Sequence, residues 1–343
     1  PEFLPPLPPQ SYLPMLPIPP ETVSADPFVR ANITNEVIQL CRAHQVRGAG
    51  FMSVTRDKIS LAASTGLRAY DETAHARLSV TAIGSDSTGW IDRAHRSIHA
   101  LEPAHWTNVA IEKARQSAHP RSLPPGRYTV LLEPAAVAGL LAFLIEALDA
   151  KDYESGASPV SGKLGTRILD SRFTLEHVPD HPHLLGARFM RDGLAHTRKV
   201  WIQQGVLKQL AYDRFTAQVH GVDPTPALNA PVLAGESSAA RSVSEMIRQI
   251  NRGILVTNLW YIRPANPVDL TLTGMTRDGT FLIEDGEITT GLCNFRFHDS
   301  PLRVFQAVDS FSEPMEAISA EYGKMLVPFL TVRDFHFTSC TNA

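Results

Sequence analysis

Residues 253–263 read Gly-Ile-Leu-Val-Thr-Asn-Leu-Trp-Tyr-Ile-Arg, and three similar runs follow: Leu-Thr-Leu-Thr-Gly-Met-Thr at 270–276, Gly-Thr-Phe-Leu-Ile-Glu-Asp-Gly-Glu-Ile at 279–288 and Asn-Phe-Arg-Phe at 294–297. All four are rich in β-branched or aromatic residues, and Asp-Gly pairs mark turns between them. Strands joined by such short turns pair antiparallel. The sequence therefore predicts that the second half of the chain is largely antiparallel β-structure.

The segment before this region mixes both kinds of periodicity, so we predict an α+β fold: an N-terminal α/β portion followed by a largely antiparallel, β-rich C-terminal domain. The predicted division is a Pro-rich linker or strap at 1–27, an α+β segment at 28–125 and the β-rich domain at 126–343. The predicted elements are a helix after Asp26-Pro27, a three-stranded meander over 50–84, helices over 91–99 and 108–118, a strand from 127, a helix over 135–150, a hairpin around Gln204-Gly205 and a helix capped by Ser242 and Glu245.

The composition excludes several classes of protein. Of 343 residues 43% are hydrophobic and 20% charged, and 32 Lys and Arg against 35 Asp and Glu give a net charge of −3. Without a Lys/Arg run, a nucleic-acid surface is not expected. The longest apolar stretch, 137–147, contains Glu146 and is shorter than the roughly 20 residues of a membrane span, so no membrane association is expected. No cofactor is expected either.

The three cysteines, Cys41, Cys293 and Cys340, are far apart and odd in number. This pattern is not that of a disulfide framework, and it predicts a reducing, cytoplasmic location.

The N-terminus is unusual because nine of the 26 prolines lie in the first twenty residues. Proline lacks a backbone donor, so this segment must run extended, as a linker or as a strap over a surface. The chain begins Pro-Glu-Phe rather than with Met, and residues 1–3 are interpreted as a possible vector remnant.

The densest group of potential metal ligands is His177, Asp180, His181 and His183, three imidazoles and a carboxylate within seven residues. Such a loop could bind zinc, copper or nickel, although its two prolines restrict the backbone and a solvent-exposed turn is the simpler interpretation. The same three histidines are also candidates for a catalytic role, together with Cys293 and His298. Cys293 has no basic neighbour in sequence closer than Arg296 and His298, so a lowered thiol pKa is not indicated.

Several motifs resemble one family, the TldD/TldE (PmbA, modulator of DNA gyrase) family. The strand region quoted above carries the longest matches, together with Pro-Val-Asp from 267 and His-Asp-Ser-Pro from 298. Further matches, in the same order along the chain, are Gly-Arg-Tyr-Thr-Val-Leu-Leu-Glu-Pro from 126, Ser-Gly-Lys-Leu-Gly from 161, Leu-Gly-Ala-Arg-Phe from 185, Gln-Gly-Val-Leu from 204 and Val-Arg-Asp-Phe-His-Phe-Thr-Ser from 332.

The resemblance implies a dimer of similar halves, in which the TldD-type half carries a His-Glu-x-x-x-His zinc motif on a helix, with a Cys ligand, and cleaves extended peptides. On this sequence the two His positions fall on Ala142 and Ala147, and the Glu position on Phe143. None of these side chains can bind zinc or activate water. The sequence is therefore similar to the TldE/PmbA type, which lacks the motif, and no metal is expected on that helix.

Family members usually also carry a further small α/β domain at the N-terminus, which is missing from this sequence, either because it was trimmed or because the protein is naturally short.

Three functions remain open from the sequence. The first is a partner half in peptide processing, as a homodimer or a heterodimer with a TldD-type subunit. The second is a zinc-independent enzyme, derived from the same cleft, that tailors a peptide-derived or other small metabolite. The third is a module that binds extended peptides by strand addition.

Overall fold

The computed structural model describes residues 3–320 and 322–341. The α-helices there are α1 (Pro20–Val23), α2 (Pro27–Ala43), α3 (Pro103–Gln116), α4 (Pro134–Glu146), α5 (Ala150–Glu154), α6 (Arg214–His220), α7 (Val243–Arg248) and α8 (Pro301–Val304), and two short 3-10 helices span Ile98–Leu101 and Ser237–Ala239. None of these helices has both the length and the apolar character that a membrane crossing requires.

The strands within the same ranges are β1 (Arg47–Ala62), β2 (Arg68–Ile83), β3 (Thr88–His95), β4 (Gly126–Leu132), β5 (Thr174–His177), β6 (Lys199–Gln203), β7 (Val206–Leu207), β8 (Pro231–Ala234), β9 (Arg252–Val256), β10 (Leu259–Asn266), β11 (Thr271–Thr276), β12 (Thr280–Glu284), β13 (Glu287–Gly291), β14 (Phe295–Asp299), β15 (Val308–Phe311), β16 (Met315–Ser319), β17 (Gly323–Val327) and β18 (Leu330–Cys340).

Three sheets organise the described residues. The first has the order β1-β2-β3 and is antiparallel throughout. The second has the order β10-β11-β14-β18-β4-β9-β12-β13, with β15 also paired to β18, and the third has the order β16-β17-β8-β5-β6-β7. Only the β4/β9 and β17/β8 pairs in these sheets are parallel. The predicted α+β class is therefore confirmed.

The main hydrophobic core contains α4 together with side chains from both larger sheets. The sequence of α4 is Pro-Ala-Ala-Val-Ala-Gly-Leu-Leu-Ala-Phe-Leu-Ile-Glu. Ten of these thirteen residues are apolar and buried, and the single glycine is buried as well. A helix that is apolar on all sides is stable only where it is surrounded by other elements. The sequence therefore places α4 inside the fold, where it fixes the positions of the strands around it.

The first sheet packs against α2 and α3 in a second, smaller core that includes Cys41. Asp26 caps α2 by accepting a hydrogen bond from Val29 N at 2.9 Å, as the Asp26-Pro27 pair predicts. The burial of Cys41, 1% exposed, agrees with its interpretation as a small core residue.

Two predictions for the N-terminal segment are wrong. Residues 91–95 belong to β3 rather than to a helix, because Ile91 and Ala94 turn inward while β3 pairs with β2 over its whole length. The region from 50 to 84 is one long hairpin of β1 and β2, not a meander of three short strands, because the first two predicted strands belong to the single strand β1. β1 continues through its polar middle because it is largely exposed there, so no apolar alternation is needed to hold it as a strand.

Predictions for the C-terminal half are confirmed where turn or cap residues define them. The four runs quoted first form β9 to β14, and Asp285-Gly286 closes the β12/β13 hairpin. Asp278-Gly279 is not a hairpin turn, because β11 pairs with β10 and β14 whereas β12 pairs with β9 and β13. Ser242 and Glu245 form the predicted capping box of α7. Gln204-Gly205 joins β6 to β7 as an antiparallel hairpin.

The Pro-rich segment lies extended against both halves of the chain, without helix or strand from residue 3 to 19. Tyr12 donates its hydroxyl to Gly193 O at 2.8 Å, and Arg188 Nε donates to Leu13 O at 2.6 Å. Thr65 also donates to Leu7 O. Residues 1 and 2, part of the possible vector remnant, lie outside the described residues.

The close packing of α3 on β3 gives a first prediction. A Cβ added to Gly89 would meet Ala110 O at 2.1 Å and Ala114 N at 2.5 Å, so Gly89→Ala is expected to push the helix away and to lower the free energy of unfolding by about 1–3 kcal/mol. Urea denaturation measures this. Gly126→Ala is the control, since its Cβ would find only Tyr128 at 3.6 Å. Equal stability of the two variants would contradict the prediction.

Candidate functional site

The structure separates the histidines that the sequence groups together. His177 ends β5 and is buried, with Nε2 2.9 Å from Asn229 Oδ1 and its ring 5.0 Å from that of His196. Burial lowers the pKa of His177, so its imidazole is held neutral. Asp180 is engaged by Arg198 in an ion pair of 2.7 Å. His181 and His183 line one open cavity, of 570 Å³, whereas Asp180 lines a separate one of about 10 Å³.

The other two sequence candidates lie apart from this cavity and do not line it. His298 is exposed on β14, and its ring is 6.3 Å from that of His336 on the neighbouring strand. Cys293 is half-buried near Cys340, and burial raises the pKa of its thiol. A raised pKa disfavours the reactive thiolate, so nothing in the structure indicates an activated nucleophile there.

A groove runs between β3 and β16, which are the edge strands of two different sheets. Three adjoining cavities of 570, 190 and 270 Å³ form it, and we call it the β3–β16 groove. The first two cavities share Arg93, Trp106, Met315 and Glu316. The second and third share Trp90, Asp92, Ala135 and Ile318.

At the wide end of the groove, His95, His183 and Glu316 come together. Each offers one nitrogen or oxygen ligand atom, and these atoms all lie within 4.8 Å of one another. The Nδ1 of His183 is 2.8 Å from Glu316 Oε1, and the His95 and His183 rings are 5.9 Å apart. His181 follows on the other side of His183, at 5.7 Å between ring centroids.

A buried ammonium group holds Glu316 in its charged form. Lys324 Nζ lies 3.0 Å from Glu316 Oε2, and the Lys324 side chain is only 2% exposed. Burial lowers the pKa of Lys324. Burial alone would raise the pKa of Glu316, but Lys324 and His183 outweigh it and keep that pKa below its usual range. Burial, followed by the charge of Lys324, lowers the pKa of His95.

Arg93 connects the two walls of the groove. Its Nη1 donates to Glu316 O at 3.0 Å, and its guanidinium lies 3.4 Å from the centre of the Trp106 ring. Arginine stacked on tryptophan is a favourable cation–π arrangement, and it leaves both side chains facing the groove. Trp106 thus offers a rigid aromatic surface next to the His95, His183 and Glu316 cluster.

The sequence did not indicate His95 or Glu316 as site residues. His95 ends β3, within the stretch predicted as a helix, and Glu316 lies near the start of β16 in no recognisable motif. Residues 95 and 316 meet only because the first sheet docks against the third. No local spacing could have shown this pairing.

The helix α4 carries no metal donor at the positions that the family resemblance assigns to zinc. Ala142 is fully buried, and Phe143 and Ala147 are 8% and 9% exposed. Methyl and phenyl side chains do not coordinate metals, so these residues do not fit a zinc ion. The residues of α4 that reach the groove are Pro134, Ala135 and Gly139, near its N-terminal end.

Residues 125–339 match the model of the PmbA/TldA metallopeptidase C-terminal domain. The chain belongs to this family. The assignment made from the motifs is therefore confirmed. No curated protein matches the chain in sequence.

Solved structures of the family are similar over nearly the whole chain. TldE from Thermococcus kodakarensis is 20% identical, with a TM-score of 0.85 over 98% of this chain and 80% of that one. A Thermotoga maritima protein described as a candidate modulator of a DNA gyrase is 18% identical, with a TM-score of 0.84 over the same shares. A similarly described protein from Bacteroides thetaiotaomicron is 19% identical, with a TM-score of 0.79 over 93% and 73%. At these identities the likeness concerns the fold.

Proposed function

We propose that this chain is a TldE/PmbA-type subunit that takes part in peptide processing without the helical zinc motif. It holds an extended peptide in the β3–β16 groove while a TldD-type partner subunit cleaves that peptide. The observation that carries the proposal is the groove itself, which runs along two edge strands.

The shape of the groove suits an extended chain better than a compact ligand. Its three cavities follow one another along β3 and β16, instead of forming one deep pocket. Edge strands carry backbone groups that are not all used within their own sheet, and an added peptide strand can pair with them. Trp106, Met315 and Ile318 offer apolar contacts for alternate side chains of such a peptide.

The composition of α4 supports a pair of subunits in which this chain binds the peptide and the partner cleaves it. A family named for metallopeptidases needs donors for its metal, and Ala142, Phe143 and Ala147 supply none. The catalytic step of peptide cleavage would then fall to a partner that carries the His-Glu-x-x-x-His motif.

The proposal predicts that fluorescently labelled, unfolded peptides bind to the purified chain and are not cleaved by it. Trp106→Ala is expected to weaken this binding about tenfold or more, because aromatic side chains in grooves carry a large share of binding energy. Fluorescence polarisation measures the affinity, and mass spectrometry measures cleavage with and without a TldD-type protein from the same genome.

Phe28→Ala is the matched control, since Phe28 on α2 is 78% exposed and lies outside the groove. Equal loss of affinity in both variants, or no peptide binding by the unchanged chain, would refute the groove as the binding site. Turnover of a peptide or metabolite by the chain alone would instead favour the zinc-independent enzyme. A chain that forms only a homodimer and enhances no partner's cleavage would refute the partner role.

A further inference from the structure

The His95, His183 and Glu316 cluster has the donor composition of a metal site that uses no residue of α4. Its three ligand atoms are within 4.8 Å of one another, and they come from β3, from the loop after β5 and from β16. Two ligands of one tetrahedral zinc ion, each about 2.0–2.2 Å from it, are about 3.4 Å apart. Side-chain movements of about an ångström would therefore bring all three atoms into coordination range, and the His183 side chain, 56% exposed, has room to make them.

We propose that His95, His183 and Glu316 bind one transition-metal dication of the Zn²⁺ or Co²⁺ class at the wide end of the β3–β16 groove. The ion would enter between His183 Nδ1 and Glu316 Oε1, which are 2.8 Å apart, and the two atoms would separate to coordinate it. His183 would bind through the lone pair of Nδ1, with the proton of its neutral ring on Nε2. The proposal is independent of the partner role.

The surroundings of the cluster select the class of metal. Two of its three donors are imidazoles, which suit zinc, cobalt, nickel and copper, whereas magnesium and calcium prefer oxygen ligands. Lys324 and Arg93 also place two positive charges beside Glu316, at 3.0 Å from Oε2 and from its backbone oxygen. These positive charges repel any dication and disfavour ions such as Mg²⁺ and Ca²⁺, whose binding depends mainly on charge. The two imidazole nitrogens must therefore provide most of the affinity.

The three residues are not equivalent. Lys324 engages Oε2 of Glu316 and so fixes the carboxylate with Oε1 directed at His183. His95 Nδ1 already accepts a hydrogen bond of 3.0 Å from Ser97 N, and coordination through that atom would replace this bond. We therefore expect His95 to contribute less to the affinity than His183 and Glu316.

The test uses the full chain without a His tag, stripped with a chelator and titrated with Co²⁺, with the visible cobalt band and calorimetry as readouts. We expect one equivalent to bind, Zn²⁺ to displace it, and millimolar Mg²⁺ to leave it in place. His183→Ala and Glu316→Gln should each weaken binding about 100-fold or more, since loss of a mere supporting residue costs 10–100-fold. His95→Ala should weaken it about tenfold.

The control is His119→Ala, because the His119 side chain is 91% exposed and belongs to another part of the surface. His183→Ala is the decisive variant, since that side chain is 56% exposed and its removal should not disturb folding, which circular dichroism checks. The proposal is overturned if the unchanged chain binds neither Co²⁺ nor Zn²⁺, if His183→Ala binds like the unchanged chain, or if His119→Ala loses binding equally. Displacement by Mg²⁺ would overturn the assigned metal class.

Discussion

Glu316→Leu is expected to lower the free energy of unfolding by about 3–5 kcal/mol at pH 7, because it leaves the ammonium of Lys324 buried without its counter-charge. Lys324 is only 2% exposed on its side chain, whereas Glu316 retains 26% exposure. The cost is therefore asymmetric: Lys324→Met leaves a carboxylate that still meets His183 and some solvent, so its effect should be smaller. Urea denaturation of both variants measures the difference.

The pH dependence of stability tests whether the buried charge of Lys324 causes the loss in Glu316→Leu. Burial lowers the pKa of Lys324 below its unfolded value, and removal of Glu316 lowers it further. Between the folded and the unfolded pKa of Lys324, the unfolded chain binds one more proton than the folded chain, so the free energy of unfolding rises as the pH rises. Glu316→Leu should therefore regain stability as the pH rises toward the unfolded pKa of lysine, about 10.4, because the buried ammonium loses its proton below that pH.

The double variant Glu316→Leu with Lys324→Met provides the control, since an apolar pair of similar volume can replace a buried ion pair at little cost. It should be more stable than Glu316→Leu alone. A Glu316→Leu protein as stable as the unchanged chain, or a double variant less stable than both single variants, would show that the pair does not hold this part of the fold.

The sequence predicts the C-terminal half well because its signals are local. The Asp285-Gly286 turn fixes the reversal between β12 and β13, and the capping residues Ser242 and Glu245 fix the start of α7. The apolar run from 135 likewise indicates α4 as a buried helix whatever surrounds it. Such features follow from a few adjacent residues and need no knowledge of the docking of the sheets.

The candidate site depends on docking, and there the sequence is insufficient. His177, His181 and His183 are close in sequence, but His177 points inward at the end of β5 while a turn closed by His181 N and Val178 O carries the next residues outward. His95 and Glu316 then complete the cluster from strands that lie 221 positions apart. Local spacing thus indicated one of its three members.

The mistaken helix at 91–99 has the same origin. Ile91, Ala94 and Ile98 are spaced so that they could share one face of a helix, and the segment is too short for period alone to decide. The segment is a strand because it pairs with β2, which provides hydrogen-bond partners for the backbone of β3 while Ile91 and Ala94 enter the core. With this segment predicted as a helix, the sequence did not indicate that His95 lies at the end of a strand and faces the groove.

The second large prediction concerns acid stability and the buried His196. Its side chain is 2% exposed, its Nδ1 has no hydrogen-bond partner among the described residues, and its ring lies 5.0 Å from that of His177. Burial, together with the neighbouring His177, lowers the pKa of His196 to about 3, against about 6.5 in an unfolded chain. Between these values the unfolded state binds the extra proton, so stability is present above pH 6.5 and is lost as the pH falls.

At pH 4.5 the loss from His196 alone should reach about 2–3 kcal/mol, since each pH unit of the window costs about 1.4 kcal/mol. His196→Leu cannot take up a proton, so its stability relative to the unchanged chain should improve by that amount between pH 7 and pH 4.5. Urea denaturation at both pH values measures it, and His119→Leu, at an exposed position, should follow the unchanged chain. Parallel stability curves for His196→Leu and the unchanged chain would mean that His196 does not govern acid unfolding. The result also bears on His177, whose pKa burial lowers in the same direction: the acid sensitivity that remains in His196→Leu should decrease further when His177 is replaced as well.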